Sequence, residues 1–378
     1  MSVAVSNDRK SLKLNRMASY NEVLAALREY RNELEERVQT EIESQFEEGS
    51  TVLNAFSARG GVSAFTTPLS NVHASGVGIR IKAGKPLKDN YVLKVYVFDK
   101  LDLGANTPSI TRSYQGIDVD VEPLPIQLAL SKTKAAATTT VEDHRSKQRP
   151  IVGGVSIAPL NESFVGTLGC FLQRTVSGSK QVFALSNNHV LADTNRLAIG
   201  TPVVQPGPEV APTSPNDVFA ALSAFIPIQF PATRIDPVVN VFDAAIAVVA
   251  DESLVRKGAI LGIDKYEPKV AAAVPGMRVI KSGRTTGVTT GIVTATRVNG
   301  VQINYGTRTS PRIATFNDTV EIVSEDETKP FSMPGDSGSV ILDADTGRPV
   351  ALLFAGDGRT TTACDFGGVC RQFQAFPI

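Results

Sequence analysis

The chain is poor in the groups from which disulfide frameworks, metal centres and membrane anchors are made. It has three cysteines and three histidines in 378 residues. Three thiols, an odd number, do not form a disulfide framework, so free thiols in a reducing compartment are expected, although Cys364 and Cys370 could pair. Cys170, in the apolar run GTLGCFL, reads as core. The histidines and cysteines stand isolated, without ligand spacing, which argues against metal-dependent hydrolysis; no metal or other cofactor is expected. Thirty-eight basic residues balance thirty-eight acidic ones. A net charge of zero gives no electrostatic reason for nucleic acid or an anionic membrane as partner. No apolar run approaches the ~18 residues of a membrane span. The opening MSVAVSNDRKSLKLNRM has no apolar stretch behind its basic residues, so no secretory signal is read and a cytoplasmic location is expected.

What is present divides into a leader and a β-rich body, and the length suits two or three domains. Residues 20–48 have the clearest helical pattern. Leu27, Tyr30, Leu34, Val38, Ile42 and Phe46 recur every three or four residues and fall on one face. Ser19 and Glu22 have capping-box spacing, and Gly49 is a natural stop. The stripe is narrow and must be buried on the chain itself, on a second copy or on a regulatory partner. Residues 75–123 alternate as strands: SGVGIRI and YVLKVYVFD around the turn-like KAGKPLKDN suggest a hairpin, and GIDVDVEPL a third strand. The organisation expected is a helical segment at 1–60, a small α/β or β leader domain at 61–130, a linker at 131–150 and the body at 151–378. His144, in the polar linker stretch, reads as exposed and idle. From Ile151 short β-rich runs recur between Gly, Pro and Asn turns, a mainly β pattern of sandwich or barrel type. Residues 206–237, rich in Pro, Ala and Ser, read as a loop insertion.

Chemistry is concentrated in three places. MPGDSGSVIL contains Gly-Asp-Ser-Gly, a spelling rare by chance. A serine hydroxyl needs a base to become a nucleophile, and it needs paired N–H groups to hold an oxyanion. Glycines allow the tight turn that aims those groups together. Ser337 is therefore the candidate nucleophile, and the amides of Gly335 and Ser337 the candidate oxyanion hole. Of the three histidines, His73 lies in the leader and His144 in the linker. His189, in FALSNNHVLAD directly after an apolar strand, is the candidate base. A base needs a carboxylate to fix its tautomer. Asp243, in VFDAAIAVV, is an acid set among apolar residues and needs a partner; Asp236, in RIDPV, is its competitor and looks like a loop residue.

The order His189, Asp243, Ser337 and the words NNHVLA, DAAIA and GDSGS resemble the chymotrypsin-like serine proteases. IKSGRTTGVTTGIVTA resembles the start of the second barrel in the alpha-lytic bacterial type. The overall spelling is similar to intracellular trypsin-like peptidases, the plant narrow-leaf protein type among them. The resemblance covers roughly residues 150–375. It implies two six-stranded antiparallel β-barrels, 151–255 and 256–378, with a polypeptide substrate in the crevice between them. It also implies a substrate pocket near Phe331, Phe354, Ala355 and Gly356, with Phe331 at the position of the pocket floor. Two positions depart from the commonest pattern. Ser339 stands where many members have glycine, as in the intracellular relatives. Phe354-Ala355-Gly356 lacks the serine that usually supports the aspartate.

Ile151-Val152-Gly153-Gly154 is spelled like the start of a mature trypsin-like protease. In the zymogen scheme a freed Ile151 amine pairs with Asp336. Pro150 makes a cut there difficult, so the stretch is expected to stay uncut as the start of the first barrel, and Asp336 then needs an arginine or backbone amides. Two functions compete: a serine endopeptidase with a regulatory leader, and a silent protease-fold scaffold that binds peptides or partner proteins.

Overall fold

The computed structural model of the protein describes residues 17–47, 71–82, 85–99, 110–129, 142–208, 214–231, 238–307 and 309–378. Among these the fold is mainly β, with a long helix near the N-terminus and few other helical residues. Six strands close into a barrel: Arg278–Gly283, Gly287–Asn299, Thr319–Ser324, Thr360–Asp365, Pro349–Gly356 and Val340–Asp343. Each pairs antiparallel with the next, and the last pairs with the first. Val279, Val293, Ile322, Phe331, Ile341 and Leu353 fill its interior. Closure leaves these six strands no free edge around the ring.

The other half is an eight-stranded sheet curled into a half-barrel. Its order is Phe376–Pro377, Phe171–Val176, Ser179–Ser186, Ala245–Val249, Val218–Phe225, Pro202–Val204, Ser156–Pro159 and Gly166–Thr167. The end strands are two residues each. The double-barrel expectation thus resolves into one closed and one open unit. Two boundaries move with it. The last residues return to the first sheet, where Phe376 and Pro377 pair with Gln173 and Leu172. The expected loop at 206–237 contains the strand Val218–Phe225, which lies inside the sheet between Pro202–Val204 and Ala245–Val249. Its sequence, VFAALSAF, is alanine-rich, so residue preference hides a strand whose Phe219, Ala220 and Leu222 are buried.

The helix Tyr20–Glu47 begins as its capping residues predict: the backbone N–H and hydroxyl of Ser19 each donate to a Glu22 carboxylate oxygen at 2.7 Å. Val23, Leu27, Tyr30 and Leu34 are buried against Val77, Leu93, Val95, Ile117 and Val119 of the leader's own strands. Each such side chain removed from water contributes roughly 1.5–3 kcal/mol. Over these turns the apolar stripe is therefore satisfied within the chain. The side chains of Ile42 and Phe46, and the stop at Gly49, lie outside the described residues.

Strand Val72–Lys82 pairs antiparallel with Lys85–Val97, so most of the expected turn KAGKPLKDN is strand. Ile117–Pro123 joins parallel to Leu93–Val97. The sheet does not stop at the leader: Ser75 pairs with Asn299, Val77 with Thr296 and Gly78 with Ala295 of the closed barrel. The leader is thus hydrogen-bonded into the second barrel's sheet. Lys94, fully buried, pairs with Asp120 at 3.2 Å beneath this junction. Among the described residues no helix is long and apolar enough to cross a membrane.

Candidate active site

Strand Ser179–Ser186 runs into a four-residue helical turn, Asn188–Leu191, which carries His189. Asp243 sits two residues ahead of strand Ala245–Val249, not within a strand. The two strands are neighbours, with Ser186 opposite Ala245. That register brings the side chains together: His189 Nδ1 lies 2.5 Å from Asp243 Oδ2, and the His189 backbone N–H donates to Oδ1 at 3.2 Å. The exposures are 1 % for His189 and 0 % for Asp243. Asn187 fixes the carboxylate's backbone by donating from Nδ2 to the Asp243 carbonyl at 2.7 Å. His189 Nε2 is buried without a hydrogen-bond partner among the described residues, so the ring has one nitrogen held and one free.

The support missing from residues 354–356 comes from elsewhere. Tyr305 Oη donates to Asp243 Oδ2 at 2.8 Å, and its ring stands edge-on to His189 with centroids 5.8 Å apart. Burial, and then the adjacent carboxylate, push the Tyr305 hydroxyl well above its ordinary pKa, so it stays a donor. Nothing in the word QINYG marks this tyrosine. It follows directly on the strand Val301–Asn304, 62 positions from Asp243.

Ser337 lies in the loop before strand Val340–Asp343. Gly335 and Gly338 have φ of 100° and 93°, a region that side chains rarely adopt. A Cβ at Gly338 would also strike Ser186 Oγ and the Thr167 carbonyl, and one at Gly335 would strike Thr285 Oγ1. Thr167, on the first sheet, clasps the loop across the cleft. Its N–H donates to the Ser337 carbonyl at 2.8 Å and its Oγ1 to the Gly335 carbonyl at 2.9 Å. Among the described residues the N–H groups of Gly335 and Ser337 have no acceptor. The Ser337 hydroxyl is not bonded to His189; it donates to the Phe354 carbonyl at 3.3 Å. Ser337 itself is fully buried.

Asp336 is held by backbone amides, not by an arginine. Oδ1 accepts from Thr285 N at 2.8 Å and Thr286 N at 3.1 Å, and Oδ2 from Met333 N at 2.9 Å and Thr286 Oγ1 at 2.7 Å. The ammonium of Lys281, also fully buried, stands 3.5 Å away. Burial lowers the Lys281 pKa, and Asp336 counters the shift. Ile151 is buried in strand Ile151–Gly153, paired with Val255–Ile260.

Of the other expected positions, His144 differs from its reading. Phe331 is 1 % exposed and packs in the interior of the closed barrel, with Lys281 Nζ 5.8 Å from its ring centroid. Phe354 is buried against Phe316, centroids 4.8 Å apart, and Ala355 and Gly356 are buried beside it. His144 is half-buried, not exposed: its Nε2 meets Ser282 Oγ at 3.0 Å, and burial followed by the Lys281 charge lowers its pKa. Asp236 lies outside the described residues. Among the described residues no group of His, Cys, Asp and Glu could hold a metal ion, and all three cysteines are free and buried.

The described residues thus form a closed six-stranded barrel and a curled half-barrel, with a histidine–carboxylate pair on one and a Gly-Asp-Ser-Gly loop on the other. The model of the Nal1 C-terminal domain family matches residues 216–363 of the chain. Solved structures similar to the chain include Thermobifida fusca protease A, at 17% identity and a TM-score of 0.41, over 60% of this chain and 98% of that one. A glutamic-acid-specific serine protease aligns at 20% identity and 0.41, over 60% and 100%. Nocardiopsis protease aligns at 17% and 0.40, over 60% and 98%. No curated protein matches the chain.

Proposed function

We propose that the protein is a serine endopeptidase that works through an acyl-enzyme, with residues 151–378 as its catalytic unit and the preceding leader as a regulatory element. The observation that carries this is the buried contact between His189 and Asp243, with the second ring nitrogen left free. Nδ1–H donating to the carboxylate leaves Nε2 as the lone-pair base. The Ser337 hydroxyl turns about its Cα–Cβ bond from the Phe354 carbonyl toward Nε2. Oγ then attacks a peptide carbonyl while His189 takes its proton. The N–H groups of Gly335 and Ser337 receive the oxyanion. His189 returns the proton to the leaving amine, and water repeats the sequence to free the acid. Asp243 steadies the imidazolium, and Tyr305 holds Asp243. Residues 151–154 work uncut, because Asp336 has amide donors and Lys281 in place of a new terminus. We place the enzyme in the cytoplasm, with polypeptide as substrate.

The test is covalent labelling by a fluorophosphonate. The full-length protein is expected to label at Ser337, and Ser337→Ala and His189→Ala are expected not to. N-terminal sequencing is expected to find no chain starting at Ile151. A folded protein that never labels would refute the peptidase reading.

A further inference from the structure

The strand that leads away from the candidate nucleophile has no free edge. Phe354, whose carbonyl receives the Ser337 hydroxyl, continues into Ala355 and Gly356 at the end of strand Pro349–Gly356. A three-residue strand of the leader, Gln127–Ala129, is laid against them antiparallel, with Ala129 opposite Ala355 and Leu128 opposite Gly356. On its other side it pairs parallel with Ile303 and Asn304, next to Tyr305. An extended peptide binds a sheet by adding a strand at an exposed edge, drawing affinity from main-chain bonds. Just beyond Phe354 the edge of this strand is filled by the chain's own residues.

We propose that Gln127–Ala129 is an internal strap that occupies the edge on which a substrate peptide must lie, so that this structure is the latent form of the enzyme; the proposal rests on the peptidase reading of Ser337. Three observations converge on it. The reacting groups are sealed: His189 is 1 % exposed, and Asp243 and Ser337 are 0 %. The strap is short, and its Leu128 and Ala129 are only half-buried. Gln127 is fully buried, and both its side-chain polar atoms lack a partner among the described residues, which weakens the docked strand against any segment that satisfies that space better. The rest of the leader is fastened by the long strands Val72–Lys82 and Lys85–Val97, so the strap can leave while the leader stays. The competing ligand is an extended polypeptide segment, and its apparent affinity is reduced by the fraction of molecules whose edge is open.

Two variants push the strap in opposite directions. Leu128→Pro removes an N–H from the paired strand and should loosen it; Gln127→Met removes the two unpartnered polar atoms and should tighten it. The first readout needs no catalysis. In a Ser337→Ala background, a fluorescein-labelled peptide of sequence LPIQLAL is followed by anisotropy. Binding is expected to strengthen about tenfold or more with Leu128→Pro and to weaken with Gln127→Met. The second readout is the rate of fluorophosphonate labelling in the Ser337 protein, expected to move in the same directions. Thermal melts establish that each variant is folded, and if Leu128→Pro is not, Gln127→Met decides. Peptide binding that is the same in wild type and in the folded variants overturns the strap, whatever the labelling does. Binding that responds while no form ever labels leaves the strap on its edge and overturns the peptidase reading.

Discussion

Two buried carboxylates stand on opposite sides of the cleft and are held in opposite ways. Asp243, on the half-barrel side, takes its bonds chiefly from side chains that can exchange or orient protons: His189 at 2.5 Å and Tyr305 at 2.8 Å. Asp336, on the closed-barrel side, takes three of its bonds from backbone amides, with Thr286 Oγ1 and Lys281 completing the shell. Backbone donors cannot turn away, so Asp336 is suited to fixing the Gly335–Ser337 loop. The charge of Asp243 is instead placed where an imidazole can gain and lose a proton. On the proposed reading one carboxylate serves chemistry and the other geometry, although both are fully buried.

The largest effect should separate these roles. Asp243→Asn keeps the shape and removes the charge that fixes the histidine tautomer. Turnover is expected to fall about ten-thousand-fold, with the melting temperature little changed. A loss of folding without a selective loss of rate would erase the distinction. Lys281→Met makes the reciprocal test. It leaves Asp336 buried without its cation and is expected to cost about 3 kcal/mol of stability in urea unfolding. Adding Asp336→Asn should recover part of that cost, because the uncompensated charge is gone. If Lys281→Met proves neutral in stability, the amides alone hold the loop.

A third group, half-buried, has no carboxylate at all and so sharpens the contrast. His73 is stacked on Phe98 with centroids 4.1 Å apart, and its nitrogens meet the carbonyls of Leu124 and Gly300. Burial lowers its pKa to about 4. In the unfolded chain the ring takes a proton near pH 6.5, but in the folded protein only near pH 4. The unfolded state therefore binds more protons in between, and stability falls as pH drops through that window. The full shift corresponds to about 3 kcal/mol, reduced by the ring's partial exposure. Urea midpoints at pH 7.5 and pH 4.5 should show this loss in wild type and a smaller one in His73→Gln. Equal losses would remove His73 from the account.

Much of this was legible because local chemistry spells it. Ser19 and Glu22 announce a helix start, MPGDSGSVIL announces a tight Gly-rich turn around a serine, His189 gains meaning only beside that motif, and an acid among apolar residues at Asp243 calls for a partner. What was not legible depends on distant pairing. Tyr305 meets Asp243 across 62 positions and Thr167 meets Gly335 across 168, and neither word has a pattern of its own. The strand Val218–Phe225 hid because alanine is a poor marker of strands. His144 was read as idle because its tract is polar, yet it docks beside Ser282.

The smallest effect is also the most specific to this chain. Tyr305→Phe removes one hydroxyl from a carboxylate that retains the histidine, the His189 amide and its buried setting. A hydrogen bond to a charged group contributes about 1.5–3 kcal/mol, but only the part that differs between ground and transition state reaches the rate. A fall of about tenfold in kcat is therefore expected, with KM little changed. The pH profile supplies the readout that loss of packing alone would not move. Without the tyrosine the carboxylate loses one of the bonds that aim it at His189 and steadies the imidazolium less, so the acid limb of kcat/KM should shift to lower pH. If that limb stays in place while kcat falls, Tyr305 acts by packing against His189, and the comparison of the two carboxylates loses its most distinctive member.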